Sequence, residues 1–317
     1  RTRAKVILVG DERQLQPIAA GSALQAVDRV LIRENAQYSS QILTIRRQKE
    51  LWMRDTVRAA AEGRIGAAID YLHEHKMIRV DTNAISAREA LVKDFLQAGT
   101  DNAAVITMRR SDAYKINKMI REALQASGQI GNDAIEFHNG KEKMSLAIGD
   151  RVILGKNEYR LYDVRNGDRG VVMGIDDATK QIAILFDNGV EKKIATSEYG
   201  HIHYGWATTT HKAQGMTVDR AYVYGHSAEA MATAETTYVQ ISRSREETRL
   251  YIVGGEVSVE RPADIEKSHI RNGASSLTIE NTLDEMKRSW SRSGAKDTTL
   301  DYQKDVGITE KAFELTR

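Results

Sequence analysis

The chain has 317 residues, enough for about two domains with cores of their own; it is 41% hydrophobic, 28% charged and +2 in net charge. That balance is ordinary for a globular protein and excludes a chain that binds nucleic acid through bulk charge, so any such surface has to be local. The absence of cysteine excludes a disulfide scaffold and a cysteine-based zinc site and agrees with a reducing cytoplasm, and no apolar run approaches the ~20 residues of a membrane span or reads as a secretory signal, so a cytoplasmic location with no membrane partner is expected.

Lys5–Val9 (KVILV) is a continuous apolar run ending at Gly10-Asp11, which predicts a buried parallel strand with a polar residue at its carboxyl end. Open α/β sheets bind ligands at such ends. The spacing GDxxQLxP argues for a phosphate-sensing loop with Gln14 as its polar group; a strand-to-helix turn capped by Asp11 is the plain alternative. Leu43–Gln48 (LTIRRQ) sets Arg46 and Arg47 after a short apolar strand. Adjacent arginines are usually surface residues, but a guanidinium fork is also the best clamp for a phosphate. Helical periodicity from Leu51 to Leu72, interrupted near Gly63 and Gly66, predicts two helices, and Ser86–Glu89 predicts a capping box opening a helix to about Gln97.

Ala103–Thr107 (AAVIT) predicts a short strand, followed by an amphipathic helix over Asp112–Ala126 with Ile116, Met119, Ile120 and Leu124 on its core side. From about Met144 to Lys193 the pattern changes. Short β-rich runs (Arg151–Leu154, Gly170–Ile175, Ile182–Phe186, Glu191–Ile194) alternate with turn clusters at Asn166-Gly167-Asp168 and Asp187-Asn188-Gly189, predicting a small antiparallel barrel inserted into an α/β domain. Such a barrel has no ligand by virtue of its fold. Its basic residues Lys156, Arg160, Arg165 and Arg169 either help to hold a nucleic-acid backbone or are solvated loop residues.

Tyr204–Val223 (YGWATTTHKAQGMTVDRAYV) opens apolar, becomes polar at Thr208, Thr209, Thr210, His211, Lys212 and Gln214, turns at Gly215 and re-enters a strand-like run over Arg220–Tyr224. A loop so dense in donors between two apolar strands is a candidate anion site, with an ordinary solvated connection as the plain alternative. A helix from about Ala228 leads to Tyr238–Arg245 (YVQISRSR), and Arg249–Val253 predicts a closing strand. Arg243 and Arg245 lie two apart, so only one easily faces a given site. After Glu260 the sequence is polar and charge-mixed, predicting a loosely packed tail with one helix near Thr282–Ser291.

The stretches VILVGDERQLQP, IRRQ, TTTHKAQGMTVD and YVQISRSREETRLYI resemble motifs III, IV, V and VI of the superfamily 1 DNA helicases of the RecD-like class, in that order and over roughly residues 1–255. The run GDRVILGKNEYRLYDVRNGDRGVV is similar to the helicase part of TraA/TraI-type conjugative relaxases. The resemblance implies an α/β fold of the RecA-like P-loop NTPase type with an inserted SH3-like β-barrel. Its implied partition is 1–50 for the end of a first RecA-like domain, 51–98 for a helical connection, 99–143 and 199–257 for a second RecA-like domain, 144–198 for the barrel and 258–317 for the tail. The implied function is that of the C-terminal portion of an ATP-dependent single-stranded-DNA translocase or helicase in a conjugative relaxase. A RecD-like repair helicase of the exodeoxyribonuclease V α type and a non-catalytic DNA-binding remnant are the alternatives.

Implied cofactors are ATP and magnesium, and implied partners are single-stranded DNA, the relaxase and first RecA-like domain on the N-terminal side, and the conjugation machinery. By the same resemblance Gly10, Asp11 and Gln14 belong to the nucleotide loop, with Gln14 sensing the γ-phosphate. Arg47 and Arg243 neutralise charge on the transferred phosphoryl group, with Arg245 as second choice for that role. Gln214 and Gly215 lie near the nucleotide, while Thr209, Thr210 and His211 approach the strand backbone, with Lys212 either a phosphate contact or solvated. The sequence contains no GxxxxGK[ST] phosphate loop, and the acidic pair that binds magnesium and the relaxase histidine cluster are not found either. The chain, which opens on Arg1, is therefore expected to be a fragment with half of an ATP site and no ATPase activity of its own.

Overall fold

In a computed structural model, residues 6–15, 24, 27–28, 40, 42, 44–140, 142–254 and 279–294 are described. Helices α1 (Leu51–Ala61) and α2 (Ile65–Glu74) lead into strand β1 (Ile78–Asp81), followed by α3 (Ala84–Gln97), β2 (Ala103–Thr107) and α4 (Arg110–Ala126). An antiparallel section comes next: β3 (Ala134–Asn139), β4 (Glu142–Ala147), β5 (Arg151–Leu154), β6 (Arg169–Asp176), β7 (Gln181–Phe186), β8 (Glu191–Ala195) and β9 (Ile202–Tyr204). The chain returns through β10 (Ala207–Thr209), α5 (Thr210–Ala213), β11 (Val218–His226), α6 (Ala234–Ile241) and β12 (Ser244–Val253), and α7 (Ile279–Trp290) packs last.

Strands covered on both faces need apolar side chains at every position, not at alternate ones. β2 meets that condition, being buried at all of its positions, and sits inside a five-stranded parallel sheet of order β1-β12-β11-β2-β10. On one face Val105, Tyr222, Tyr224 and Tyr251 pack against Leu91 and Phe95 of α3 and Ile116 and Ile120 of α4. On the other, Val223, Leu250 and Ile252 meet Met53 and Val57 of α1, Ile65 and Ile69 of α2 and Trp290 of α7. The result is the layered α/β architecture expected from the sequence. Among the described residues no helix is long and apolar enough to cross a membrane.

The insert is a five-stranded antiparallel sheet of order β8-β7-β6-β5-β9, with the β3–β4 hairpin adding Ile135, Phe137 and Leu146 to its core. These antiparallel ladders run from Ala134 to Tyr204, wider than the 144–198 read from the sequence. The edge strands β8 and β9 do not pair with one another, so the ladders define an open sheet. Gly205 carries the chain back to the parallel sheet where only glycine fits, because a Cβ there would lie 2.7 Å from the Val152 carbonyl carbon.

Several local expectations differ from the structure. Val6–Val9 form no strand and are exposed, Val9 by 90%, because no described strand pairs with them; Lys5 lies outside the described residues. The cap of α3 is Asn83 rather than Ser86: its Oδ1 accepts from the Ile85 and Ser86 amides at 3.0 and 2.9 Å, which places Ser86 inside the helix. α6 starts at Ala234 behind a reciprocal Thr233–Thr236 cap, not near Ala228, and β12 begins at Ser244 rather than Arg249. β1 and the β3–β4 hairpin were not expected at all. The helix near Thr282–Ser291 exists as α7, but it is firmly docked rather than loose, with Leu283, Met286 and Trp290 buried on one face and Lys287 paired with Asp70 at 2.5 Å. The rest of the expected tail lies outside the described residues.

Candidate functional site

β10 lies parallel to β2 with Thr209 beside Thr107, so Thr209 stands at the carboxyl edge of the sheet. β11 starts at Val218 on the amino edge. Residues 210–217 therefore carry the chain from one edge to the other, first as the short helix α5 and then through Gly215, whose φ of +85° suits glycine best. The sequence-predicted residues divide between the two edges.

At the amino edge the Val218 amide donates to the Arg243 carbonyl at 3.1 Å, joining the start of β11 to the residue before β12. The Arg243 side chain is only 2% exposed. It donates to Val239 O at 2.8 Å, to Ser242 Oγ at 2.7 Å and to Met216 O at 3.5 Å. None of these partners is a carboxylate. Burial pushes its guanidinium down to about 10 and the neighbouring Arg47 cation adds to this, with Tyr238 and Asp11 opposing. Arg47 donates to Ser242 O at 2.6 Å, and Gln48 to Ser242 O and Ser244 O at 3.3 and 2.7 Å, which seats the arginine-bearing segment on the start of β12. Arg47 too is lowered, first by burial.

Asp11 gathers the segment that precedes α1. It accepts from the Arg13 amide at 3.0 Å, from Gln14 Nε2 at 2.9 Å and from the Tyr238 hydroxyl at 3.0 Å. Burial and Asp11 push the Tyr238 phenol up to about 12. Gly10, Asp11, Gln14, Arg47 and Arg243 are thus brought to one region, with Tyr238 at its centre. Gln214 and Gly215 are exposed on the adjoining turn, and it is the next residue, Met216, that touches Arg243. Arg245 is not part of this group: its guanidinium is 44% exposed and paired with Asp219 at 3.1 Å. Positions two apart on a strand share a face, so what holds Arg245 apart from Arg243 is its pairing with Asp219 rather than alternation along β12.

At the carboxyl edge Thr209 is partly exposed and His211 exposed, but Thr210 is 1% exposed. The Thr210 hydroxyl donates to Thr107 O at 3.1 Å and accepts from Gln240 Nε2 at 2.8 Å. Thr210 is therefore a core link between α5, α6 and β2, its hydroxyl engaged by Thr107 and Gln240. Lys212 is half-buried and its ammonium is lowered by that burial and by Arg110. His203 on β9 lies beside it and takes a hydrogen bond at Nδ1 from Asn139 Nδ2 at 2.9 Å. Loss of water around the ring, then the charges of Lys212, His201 and Arg110, push His203 down to about 4. Cations crowd one another here, which favours an anion as guest. The His203 ring should titrate below the ordinary histidine range by NMR in the free chain and move upward when an oligonucleotide binds, since phosphates relieve the repulsion; an unshifted value near 6.5 without ligand would contradict this arrangement.

Arg169, grouped in the sequence with the other basic residues of the insert, is not on the surface. It is 8% exposed and donates to Ala103 O and Gly205 O at 3.3 and 3.1 Å, so it fastens the insert to the parallel sheet and holds no backbone from outside. Sequence reasoning missed Tyr238, Gln240, Gln48, Met216 and Arg110. The first two stood in the YVQISRSR run and Gln48 beside Arg47; Arg110 had a signal of its own, as a basic pair directly after the AAVIT strand. No three histidine or carboxylate side chains converge on a metal position among the described residues.

A family model described as an AAA domain matches residues 1–83. The conjugal transfer protein TraA of Agrobacterium fabrum is 31% identical over 310 residues, covering 96% of this chain and 25% of its own length. The ATP-dependent RecD2 DNA helicase of Deinococcus radiodurans is 24% identical over 274 residues, covering 86% of this chain and 35% of its own length. Among solved structures, Bacteroides Pif1 bound to ssDNA aligns with a TM-score of 0.45 and 18% identity, over 66% of this chain and 51% of that one. The chain thus spans about a quarter of the length of the TraA relatives it matches.

Proposed function

On the premise that this chain is a superfamily 1 helicase-like region homologous to the TraA conjugal transfer proteins and the RecD helicases, we propose that it is the part of a conjugative DNA helicase that joins ATP turnover to movement along single-stranded DNA. The higher identity and coverage of TraA, 31% over 96% of the chain against 24% over 86% for RecD2, favour the conjugative reading over the repair one. In this reading residues 1–50 close a first RecA-like domain, 99–143 and 199–257 build the second, and the antiparallel insert interrupts it.

One observation carries the proposal: Arg243 is a buried cation with only carbonyl and hydroxyl partners, placed beside Arg47 at the amino edge. Such a guanidinium is short of negative charge and fits a phosphoryl group better than it fits a structural carboxylate. ATP with magnesium would supply the transferable phosphoryl group. Arg47 and Arg243 would hold its developing charge, and Gln14, bonded to Asp11, would report its presence to α6 through Tyr238. At the opposite edge His211, Lys212 and Arg110 would hold strand phosphates. Residues 210–217 connect the two, and the Gln240–Thr210–Thr107 hydrogen bonds tie α6 to the strand-facing edge.

The strand-facing half is testable in this chain alone. Anisotropy of a labelled oligothymidylate should show binding that weakens steeply with salt, and Lys212→Ala should reduce the logarithmic salt slope by about 0.7, the share of one phosphate contact on a single strand. Absence of binding at 50 mM salt, a condition set for the assay at about the low end of the usual range, would reject the reading.

A further inference from the structure

The backbone of Arg169 belongs to the insert: it opens β6, pairs with Ile153 of β5 and accepts the Asp187 amide at 2.9 Å. Its side chain leaves the insert and reaches the amino edge of the parallel sheet, where Nη2 donates to Ala103 O at the start of β2 and to Gly205 O just before β10. Those two bonds would be enough for a fastener. Nη1 goes further and donates to Met216 Sδ at 3.4 Å. A thioether is a weak acceptor, so this bond adds little to stability and matters for placement. None of the three partners is a carboxylate, and burial, helped by Arg151 and opposed by Asp187, pushes the Arg169 guanidinium down to about 10.

Met216 is held at three points. Its amide donates to Ala213 O at 3.0 Å at the end of α5, its sulfur accepts from Arg169, and its carbonyl accepts from Arg243 Nη1 at 3.5 Å. Its side chain packs beside Ala104, Val218 and Ala221. The two residues before it give the turn no such hold: Gln214 and Gly215 are exposed, and a Cβ on Gly215 would meet nothing within 4 Å. Residue 216 is therefore where the turn is fixed to the sheet. Of the acceptors that orient the Arg243 fork, Val239 O and Ser242 Oγ come from its own segment, whereas Met216 O comes from a different one. One residue thus stands between an arginine of the insert and the arginine at the phosphate-facing edge.

We propose that Arg169 and Met216 are positioning residues for Arg243: the insert, through Arg169, sets the Met216 carbonyl that aligns the guanidinium on the transferring phosphoryl group. In this role neither residue touches the nucleotide. The inference rests on the reading that places Arg243 at the phosphate, and it makes docking of the insert a condition of ATP turnover rather than of ATP binding.

The experiment is steady-state DNA-stimulated ATP hydrolysis by the longer protein. Arg169→Gln should lower kcat by about tenfold or more and leave KM for ATP within about twofold of the parent, the split expected when a group is misaligned in the transition state alone. Met216→Leu keeps the packing and removes the acceptor, and should lower kcat in the same way by about threefold. Adding Arg169→Gln to Arg243→Lys should cost less than about twofold more, because a fork that is absent cannot be misaligned. Arg151→Gln is the matched comparison: Arg151 pairs with Asp187 inside the insert at 2.5 Å, and its loss should leave kcat unchanged. Urea unfolding identifies any variant that has lost the fold, and Met216→Leu, which disturbs no backbone acceptor, carries the test if Arg169→Gln is one of them. If Arg243→Lys lowers kcat while the folded Arg169 and Met216 variants match the parent, the positioning role is refuted and the motor reading stands. Full multiplication of the Arg169→Gln and Arg243→Lys losses refutes it equally. If Arg243→Lys also leaves kcat unchanged, both fall together.

Discussion

Replacing Arg243 by lysine in the longer protein should lower DNA-stimulated ATP hydrolysis by about 10³-fold, the usual worth of an arginine that stabilises a transferring phosphoryl group. Lysine keeps the positive charge but not the fork. Arg243 uses Nε on Val239 O, Nη2 on Ser242 Oγ and Nη1 toward Met216 O, and this grip orients the rest of its guanidinium plane. A lysine ammonium has no planar fork with which to reproduce that set of bonds, so the charge would survive while its orientation would not. Leaving Val239 O without its donor should also cost about 1–3 kcal/mol of stability, so the assay belongs well below the unfolding midpoint. Arg245→Lys is the matched comparison, because Arg245 is exposed and paired with Asp219. It should retain most of the activity. A rate for Arg243→Lys within tenfold of the parent, or a larger loss at Arg245 than at Arg243, would contradict the placement of Arg243 at the reacting phosphate.

Trp290→Ala should destabilise the chain by about 3–5 kcal/mol, measured as a lowered urea midpoint. Trp290 is fully buried, its Nε1 donates to His226 O at 3.1 Å, and its ring closes on Gly225, where a Cβ would come within 3.2 Å. Removing it opens a cavity bordered by Leu283 and Met286 and orphans a carbonyl at the end of β11. The effect reaches the site through α6, because residues after Trp290 hold that helix: the Ala234 amide donates to Arg292 O at 2.8 Å and the Gly294 amide to Glu235 Oε2 at 2.9 Å. A loss below about 1 kcal/mol would mean that α7 does not dock as described.

The parallel sheet was legible because AAVIT and RLYIV are apolar at almost every position, and strands covered on both faces permit little else. The run from Thr209 to Gly215 stood out as polar between two apolar strands, yet one of its threonines, Thr210, is buried in the core. The same logic failed at Val6–Val9, where an equally apolar run stands exposed: composition states what a segment can bury, not whether a neighbour is there to bury it. Tail residues misled in the opposite direction. Averaged over the window, 279–290 is polar, yet Leu283, Met286 and Trp290 recur on one face and dock the helix.

Site residues divided along similar lines. Arg47 and Arg243 were singled out by the resemblance of IRRQ and YVQISRSR to helicase motifs, since the residues alone offered two arginines at each place. Thr210 looked identical to Thr209 in sequence, and only the turn from β10 into α5, which points one hydroxyl inward to Thr107 and Gln240, separates a core threonine from an accessible one. Tyr238 acts through Asp11, 227 positions earlier in the chain, a pairing that no local pattern encodes.

The central claim is that residues 210–217 link a phosphate-facing edge to a strand-facing edge. It is tested most directly by measuring the affinity of the longer protein for an oligothymidylate in the presence of ADP and of a non-hydrolysable ATP analogue. Linked sites predict affinities that differ by about fivefold or more between the two nucleotides, with the difference abolished by Arg243→Lys. Equal affinities in the two nucleotide states would contradict it.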